Sequence, residues 1–147
     1  MIREACESDF HDIAVLASDF WQHTMFDDEF CYDSVYRMVS LCQDNGLLFV
    51  AVVDGRIVGF AAGVVGALLG NSSVKVGNEL AWWLNPECRG GSLGVKLLKS
   101  IESKASDLGI KYWNMAFMCS SMPDAVELIY QKLGYAKSEV IYTKRLI

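Results

Sequence analysis

The residues of this chain best suited to chemistry stand in one glycine-rich stretch, NPECRGGSLGVK, at residues 85–96. Arg89 is followed by Gly90, Gly91 and Gly94, and an amphipathic pattern begins directly afterwards. A helix start presents backbone N–H groups without helical partners, and the macrodipole adds partial positive charge there. Glycines leave that backbone open to a phosphate, and arginine adds a fork of donors. The stretch therefore predicts an anion site, or else a plain turn with positive backbone angles and a solvated arginine.

Two familiar phosphate-binding loops do not fit this stretch. A Walker loop needs Gly-Lys followed by Ser or Thr, whereas Gly94 is followed by Val95 and Lys96. A dinucleotide fingerprint needs G-x-G-x-x-G, and Arg89 stands where its first glycine should be. The sequence therefore supports neither ATP hydrolysis nor hydride transfer.

Hydrophobic periodicity predicts the elements that must position the loop. Asp54-Gly55 joins two apolar runs, which is the signal for a tight hairpin. Gly109 ends the helix that follows the glycine loop, and Gly134 ends the next helix. A strand, helix, strand passage then requires a right-handed parallel crossover inside a mixed sheet. The predicted elements are an edge strand at 1–5, helices from Asp9 and around 35–42, strands within 47–65 and 74–85, a helix at 93–108, a strand at 111–118, a helix at 125–133 and a final strand at 138–147.

The composition bounds the class of protein. With 147 residues, 52% of them apolar, we expect one domain spanning 1–147 with a substantial core. A net charge of −5 argues against a nucleic-acid surface, because phosphate neutralisation needs clusters of Lys and Arg.

Cysteine spacing and hydropathy indicate a compartment. Five widely spaced cysteines include no C-x-x-C pair, so neither a disulfide framework nor a zinc site is indicated, and we expect no metal. The N-terminus lacks a secretory signal pattern, and the most apolar stretch, 47–69, is interrupted by Asp54, Gly55 and Arg56. We therefore expect a cytoplasmic protein without a membrane span.

RGGSLG ahead of a helix resembles the R/Q-x-x-G-x-G/A signature of the GNAT superfamily of N-acyltransferases. IREACESDF, the Asp54-Gly55 hairpin, LNPECRG and LIYQKLGY are similar to further parts of the family in the same order. Two positions depart from the pattern: Ser92 replaces a glycine, and Met122 stands where many members carry an asparagine.

The resemblance implies an α/β (α+β) fold, with a mixed central sheet of six to seven strands flanked by about four helices. It implies acetyl-CoA as cosubstrate and an amine acceptor, either a small molecule or a protein amine. The diphosphate would lie on the amides of residues 89–94, and the pantetheine arm would run beside the strand ending at Trp83-Leu84. The residues expected to bind the cosubstrate are Leu84, Arg89, Gly90, Gly91, Ser92, Leu93 and Gly94.

Two side chains are the catalytic candidates that the resemblance implies. Tyr130 matches the family's late-helix tyrosine and would protonate the leaving thiolate; alternatively it is a core aromatic. Glu79 interrupts an apolar strand and would take the amine's proton through water; alternatively it is a solvated edge residue. Strand alternation places Glu79 on one face with Ala81 and Trp83. The sequence predicts an N-acetyltransferase, with a catalytically weak acyl-CoA-binding sensor as the alternative.

Features outside these motifs bear on the acceptor and on assembly. The segment WQHTMFDDEFCY carries Asp27, Asp28 and Glu29, which would either attract a cationic amine or form a solvated loop. The final strand and the apolar surface are compatible with a homodimer.

Overall fold

Alternating apolar segments build a five-stranded sheet at the centre of residues Met1–Ala116, one of two compact units in the computed structural model. The structure describes all residues, Met1–Ile147. The second unit, Phe117–Ile147, contains one helix. The first unit comprises β1 (Ile2–Glu4), α1 (Phe10–Trp21), α2 (Tyr32–Asp44), β2 (Leu48–Val53), β3 (Arg56–Leu68), β4 (Asn71–Leu84), α3 (Leu93–Asp107) and β5 (Ile110–Asn114), with single 3-10 turns at Glu7–Asp9 and Pro86–Cys88. The helix of the second unit is α4 (Pro123–Lys132).

The sheet is mixed and its strands follow one another in chain order. β1 to β4 pair antiparallel, and β5 pairs parallel with β4. Asp54 and Gly55 both take positive φ angles, 49° and 75°, in the turn between β2 and β3. Such angles are those of the tight hairpin turn that matches strand twist, so the predicted hairpin is confirmed. The parallel pair requires a crossover, which α3 supplies.

Helices cover both faces of the sheet because its strands are apolar on both sides. Ile13 of α1 and Val39 of α2 share a buried cluster with Val50 and Phe60. Residues that alternate with these strand positions face the opposite side, where α3 contributes buried Leu97, Leu98 and Ile101. The glycine loop therefore leads into α3, and the apolar face of α3 holds this helix against the sheet.

Asp9, at which the first helix was predicted to begin, fastens β1 to the start of α1. Its carboxylate accepts two hydrogen bonds from the Arg3 guanidinium, at 2.6 and 2.8 Å, and one from the Cys6 backbone N–H at 2.8 Å. The hydrogen bonds from Arg3, and those from Cys6, lower the pKa of Asp9 to about 2. A bidentate pair of this kind fixes the position of the edge strand relative to the helix that follows it.

A β-bulge interrupts β4 opposite β3. Ala81 pairs with Ala62 and Glu79 pairs with Gly63, so Leu80 is the extra residue. Paired residues lie on the same face of a sheet, so the bulge moves Glu79 to the face opposite Ala81. The simple alternation that placed Glu79 with Ala81 and Trp83 is therefore wrong.

The sheet has five strands, fewer than the six to seven expected. Residues 138–147 form no strand, and Val140, Ile141 and Tyr142 are exposed. The strand predicted at 111–118 spans only Ile110–Asn114. An alternating pattern becomes a strand only when a neighbouring strand accepts its hydrogen bonds, and residues 138–147 have no such neighbour. The predicted α+β class and the four α-helices are confirmed.

The second unit is organised by α4. Gly134, with a φ of 91°, ends the helix as predicted, and the Tyr135 N–H donates to the Tyr130 carbonyl at 3.0 Å. Lys137 forms an ion pair with Glu127 at 2.6 Å.

None of the helices is both long enough and apolar enough to cross a membrane.

Candidate active site

The start of α3 is an open cradle of backbone amides. The first hydrogen bond of α3 runs from the Lys96 N–H to the Ser92 carbonyl at 2.9 Å, so the N–H groups from Gly90 to Val95 have no helical partner. The Arg89 N–H, by contrast, donates to the Pro86 carbonyl at 3.2 Å. A Cβ atom built on Gly90 or Gly91 would meet no atom within 4 Å, and Gly90 takes a φ of 87°. A side chain at either position would project into open space beside the helix start. The cradle therefore fits a phosphate group.

Gly94 has a different task from the two glycines before it. Its missing Cβ would lie 3.4 Å from Cζ2 of Trp82 and 3.7 Å from Cδ2 of Leu84. The Trp82 indole N–H donates to the Gly94 carbonyl at 3.2 Å. Gly94 therefore lets the first turn of α3 pack closely on the end of β4, while Gly90 and Gly91 keep the solvent side open.

Arg89 folds back onto β4. Its Nε donates to the Leu84 carbonyl at 2.8 Å, and its guanidinium carbon lies 4.4 Å above the ring of Trp83. Burial lowers the pKa of Arg89, although an arginine stays charged at neutral pH. The geometry gives Arg89 a clear part in fixing the loop to the strand. It also gives the Leu84 carbonyl, expected to pair with the pantetheine arm, a donor from within the chain.

The sheet divides directly before the bulge. The last parallel pair between β4 and β5 is Asn78 with Asn114, whose side-chain amides are joined by a hydrogen bond of 2.9 Å. From Glu79 to Leu84, β4 is paired with no strand on the β5 side. An extended molecule could add to this main-chain edge as a further strand would. The edge leads from the division of the sheet to the glycine loop.

Glu79 lies where the two strands separate. Its Oε2 accepts a hydrogen bond from the Ala116 N–H at 3.2 Å. Burial of the carboxyl raises the pKa of Glu79 to about 7, and the Ala116 N–H opposes part of that rise. The residue keeps some surface in solvent. A carboxyl with a pKa near 7 is suited to exchange protons at neutral pH.

Tyr130 is buried within the second unit. Its ring centroid lies 5.4 Å from that of Tyr135 and 6.4 Å from that of Phe117. These contacts make Tyr130 a core aromatic of its unit, and its acid role stays a prediction.

Several contacts at the site carry no sequence signal. The Asn78–Asn114 pair and the bulge at Leu80 depend on strand register, which local patterns do not reveal. The Trp82-Trp83 pair is visible in the sequence, but only the structure shows that Trp82 holds α3 and Trp83 supports Arg89.

The fold and the loop together define a class of protein. A mixed sheet whose crossover helix begins with an amide cradle is the arrangement that the sequence resemblance implied for an acyl-CoA-dependent acetyltransferase. The sequence matches the acetyltransferase (GNAT) family over residues 5–135. The chain belongs to this family and to its class of acyl-CoA-dependent acetyltransferases.

Solved structures share the fold over nearly the whole chain. Ribosomal-protein-alanine N-acetyltransferase from Brucella melitensis biovar Abortus 2308 has a TM-score of 0.74 at 18% identity, covering 99% of each chain. A predicted acetyltransferase with acetyl-CoA from Clostridium acetobutylicum has a TM-score of 0.77 at 15% identity, covering 99% of this chain and 95% of that one. AAC(6')-Iy, in complex with the bisubstrate analog CoA-S-monomethyl-acetylneamine, has a TM-score of 0.75 at 18% identity, covering 99% and 98%. These similarities establish the fold. No curated protein sequence matches the chain.

Proposed function

We propose that this protein transfers an acetyl group from acetyl-CoA to an amine. The observation that carries the proposal is the open cradle at the start of α3, where the N–H groups from Gly90 to Val95 have no helical partner and Gly90 and Gly91 add no side chain. Solved structures of this fold contain acetyl-CoA or a bisubstrate analog of CoA. Family membership and the cradle support the same donor.

The loop residues divide the work of holding the donor. The amides of Gly90, Gly91, Ser92, Leu93 and Gly94 would bind the diphosphate, because a helix start carries partial positive charge and free donors. The exposed Ser92 hydroxyl makes no capping hydrogen bond and is available as a further donor. Arg89 holds this loop against Leu84 and contributes positive charge beside it.

The open edge of β4 would position the rest of the donor. Its main chain from Glu79 towards Leu84 lacks a strand partner on the β5 side and can pair with the amide groups of the pantetheine arm. The donor supplies an acetyl group activated as a thioester. With the diphosphate at the glycine loop and the pantetheine arm along β4, the acetyl group would lie near Glu79, where β4 and β5 separate.

Glu79 and Tyr130 are the proposed proton carriers. A C–N bond forms as the neutral amine attacks the thioester carbonyl, and the C–S bond breaks. Glu79, with its pKa of about 7, would take the amine's proton through a water molecule. The Tyr130 hydroxyl would give a proton to the leaving thiolate, and solvent would restore both groups.

A thiol-release screen tests the proposal. The purified protein is incubated with acetyl-CoA and a panel of small amines, peptides and lysine-containing proteins. Free CoA thiol is measured with and without each acceptor, and products are weighed by mass spectrometry. We expect release that depends on the acceptor, and a product heavier by one acetyl group. Donor binding without acceptor-dependent release across the panel would instead support a sensor module.

A further inference from the structure

A cavity lies between the end of α1 and the start of α2. Its volume is about 390 Å³, within the range of small-molecule sites. It is contained in the first unit and is separate from the glycine loop. Its lining residues are Trp21, Phe26, Asp28, Glu29, Phe30, Cys31, Ser34 and Val35.

Aromatic rings form and brace the wall of this cavity. The ring of Trp21 stacks on Phe26 at a centroid distance of 5.8 Å and contacts Phe30 at 6.3 Å. The Trp21 indole N–H donates to the Asp28 carbonyl at 3.0 Å, which ties the loop to the helix. Phe30 in turn packs edge to face on Tyr32 at 5.0 Å. The wall is therefore built before any ligand arrives.

The charge around the cavity is negative and uncompensated. Asp28 and Glu29 line it, are exposed, and form no ion pair. The sequence contains no Lys or Arg between Arg3 and Arg37. A cation that enters the cavity would therefore meet carboxylates without displacing a basic side chain.

The chain segment that forms one wall of the cavity also contacts the end of β4. Phe20 and His23, the neighbours of Trp21 in this segment, contact the Trp83 ring at centroid distances of 5.9 and 5.1 Å. Trp83 in turn supports Arg89 at the end of β4. The segment that carries Trp21 is thus in contact with the side chain that supports Arg89 at the end of β4.

We propose that this cavity binds an organic ammonium group of the acceptor, and that this group is not the amine that becomes acetylated. Aromatic faces attract alkylammonium ions, and apolar walls hold their carbon atoms. Carboxylates favour the protonated form of a nearby amine, whereas the attacking nitrogen must be neutral. The acceptor class that fits is a diamine, or another amine with a second fixed cation. Its identity as acceptor rests on the proposed function.

A pair of probes that differ only in charge tests the cavity without catalysis. Choline and 3,3-dimethylbutan-1-ol have the same shape, and only choline is a cation. We titrate each into the full chain and follow the indole N–H signals by NMR, with Trp21→Phe to assign the Trp21 signal. Choline is expected to shift the Trp21 signal and to bind about tenfold more tightly than the alcohol. Equal affinity of the two probes would overturn the inference.

Neighbouring carboxylates provide matched variants. Asp28→Asn and Glu29→Gln should each weaken choline binding by about two- to fivefold, in the range of exposed charge pairs. Asp27→Asn removes the same charge from a residue that does not line the cavity and should change the affinity less. An equal effect of all three substitutions would mean that only overall charge attracts the cation, and the cavity would lose its role.

A kinetic experiment links the cavity to the acceptor. Among acceptors of equal chain length, a diamine should show a lower KM than an amino alcohol, and Glu29→Gln should raise the KM of the diamine while leaving kcat nearly constant. Equal KM values for the two acceptors would contradict the link. The outcomes separate the two proposals. Thiol release without choline binding removes only the cavity inference. Choline binding without thiol release keeps the cation site but removes the proposed function, and with it the assignment of the bound cation to an acceptor.

Discussion

Glu79 shows how position alone can turn an ordinary side chain into a candidate base. A carboxyl in an apolar strand is visible in the sequence, so the residue itself could be singled out. Its environment could not be, because it depends on the bulge at Leu80 and on the amide of Ala116, which is distant in the chain. The raised pKa is a product of tertiary structure.

The ionisation of Glu79 predicts a pH-dependent stability difference. An unfolded glutamate loses its proton near pH 4.5, whereas burial holds the folded pKa at about 7. The folded state binds more protons between these values, so this residue makes stability fall as pH rises through that window. Glu79→Gln cannot ionise and keeps an oxygen for the Ala116 N–H. Its melting temperature relative to wild type should therefore increase between about pH 4 and about pH 8.

Thermal unfolding across this range checks the prediction, with Glu87→Gln as the control. Glu87 is an exposed carboxyl that lies three residues after the last residue of β4. A constant difference between Glu79→Gln and wild type at every pH would refute the raised pKa.

Tyr130→Phe tests the acid role without removing the ring. The phenylalanine keeps the contacts with Phe117 and Tyr135 and loses only the hydroxyl. We expect kcat to fall by roughly a hundredfold, the usual scale for loss of a general acid, with acetyl-CoA affinity nearly unchanged. Tyr135→Phe, at a neighbouring ring, is the matched control. Steady-state rates and a binding titration give both quantities, and an undiminished kcat would return Tyr130 to a packing role.

At the scale of elements, the junction of β4 with α3 separates two uses of glycine. Gly94 allows the helix to approach Trp82, while Gly91 faces open space. The sequence predicts this junction correctly because a helix start and its glycines form a pattern of residues adjacent in the chain. It could not assign a separate task to each glycine, since the distinction depends on contacts with β4.

Gly91→Val should abolish donor binding without harming the fold. The new side chain would meet no atom within 4 Å, and Gly91 needs no positive φ, yet it would add bulk to the loop proposed to hold the diphosphate. We expect acetyl-CoA affinity to fall at least about a hundredfold, since several charge-assisted hydrogen bonds would be lost. Gly66→Val, also at an open position without a positive φ, is the control. Calorimetric titration and melting curves of both variants measure the effect. Tight binding by Gly91→Val would place the diphosphate elsewhere.

Met122, which departs from the family pattern, has a backbone conformation that is unfavourable for methionine. It precedes α4 with φ and ψ of 50° and 46°, a left-handed conformation that costs a methionine energy and that asparagine tolerates better. Met122→Asn should therefore stabilise the protein by about 1 kcal/mol. Chemical denaturation measures this gain. Met25→Asn, at another exposed methionine, should give none. A loss of stability in Met122→Asn would contradict the assignment of strain.

Across the whole molecule, the sequence predicted correctly those features that depend on residues close together in the chain. The β2–β3 hairpin, the apolar stripe of α3 and the helix stops at Gly109 and Gly134 depend on nearby residues, and all are confirmed. The final strand was wrong because its pattern needs a distant partner strand. The direction of Glu79 was wrong because one extra residue in β4 reverses the alternation.

The proposed acetyl transfer requires that the cradle at the start of α3 binds the donor. A ligand that binds only the folded state at about a hundred times its dissociation constant adds about 2.7 kcal/mol of stability. For a chain of this length, that gain corresponds to a rise in melting temperature of roughly 5 to 10 °C. The direct measurement is the melting temperature of the wild-type protein with and without saturating acetyl-CoA. The account predicts such a rise, and an unchanged melting temperature would contradict it.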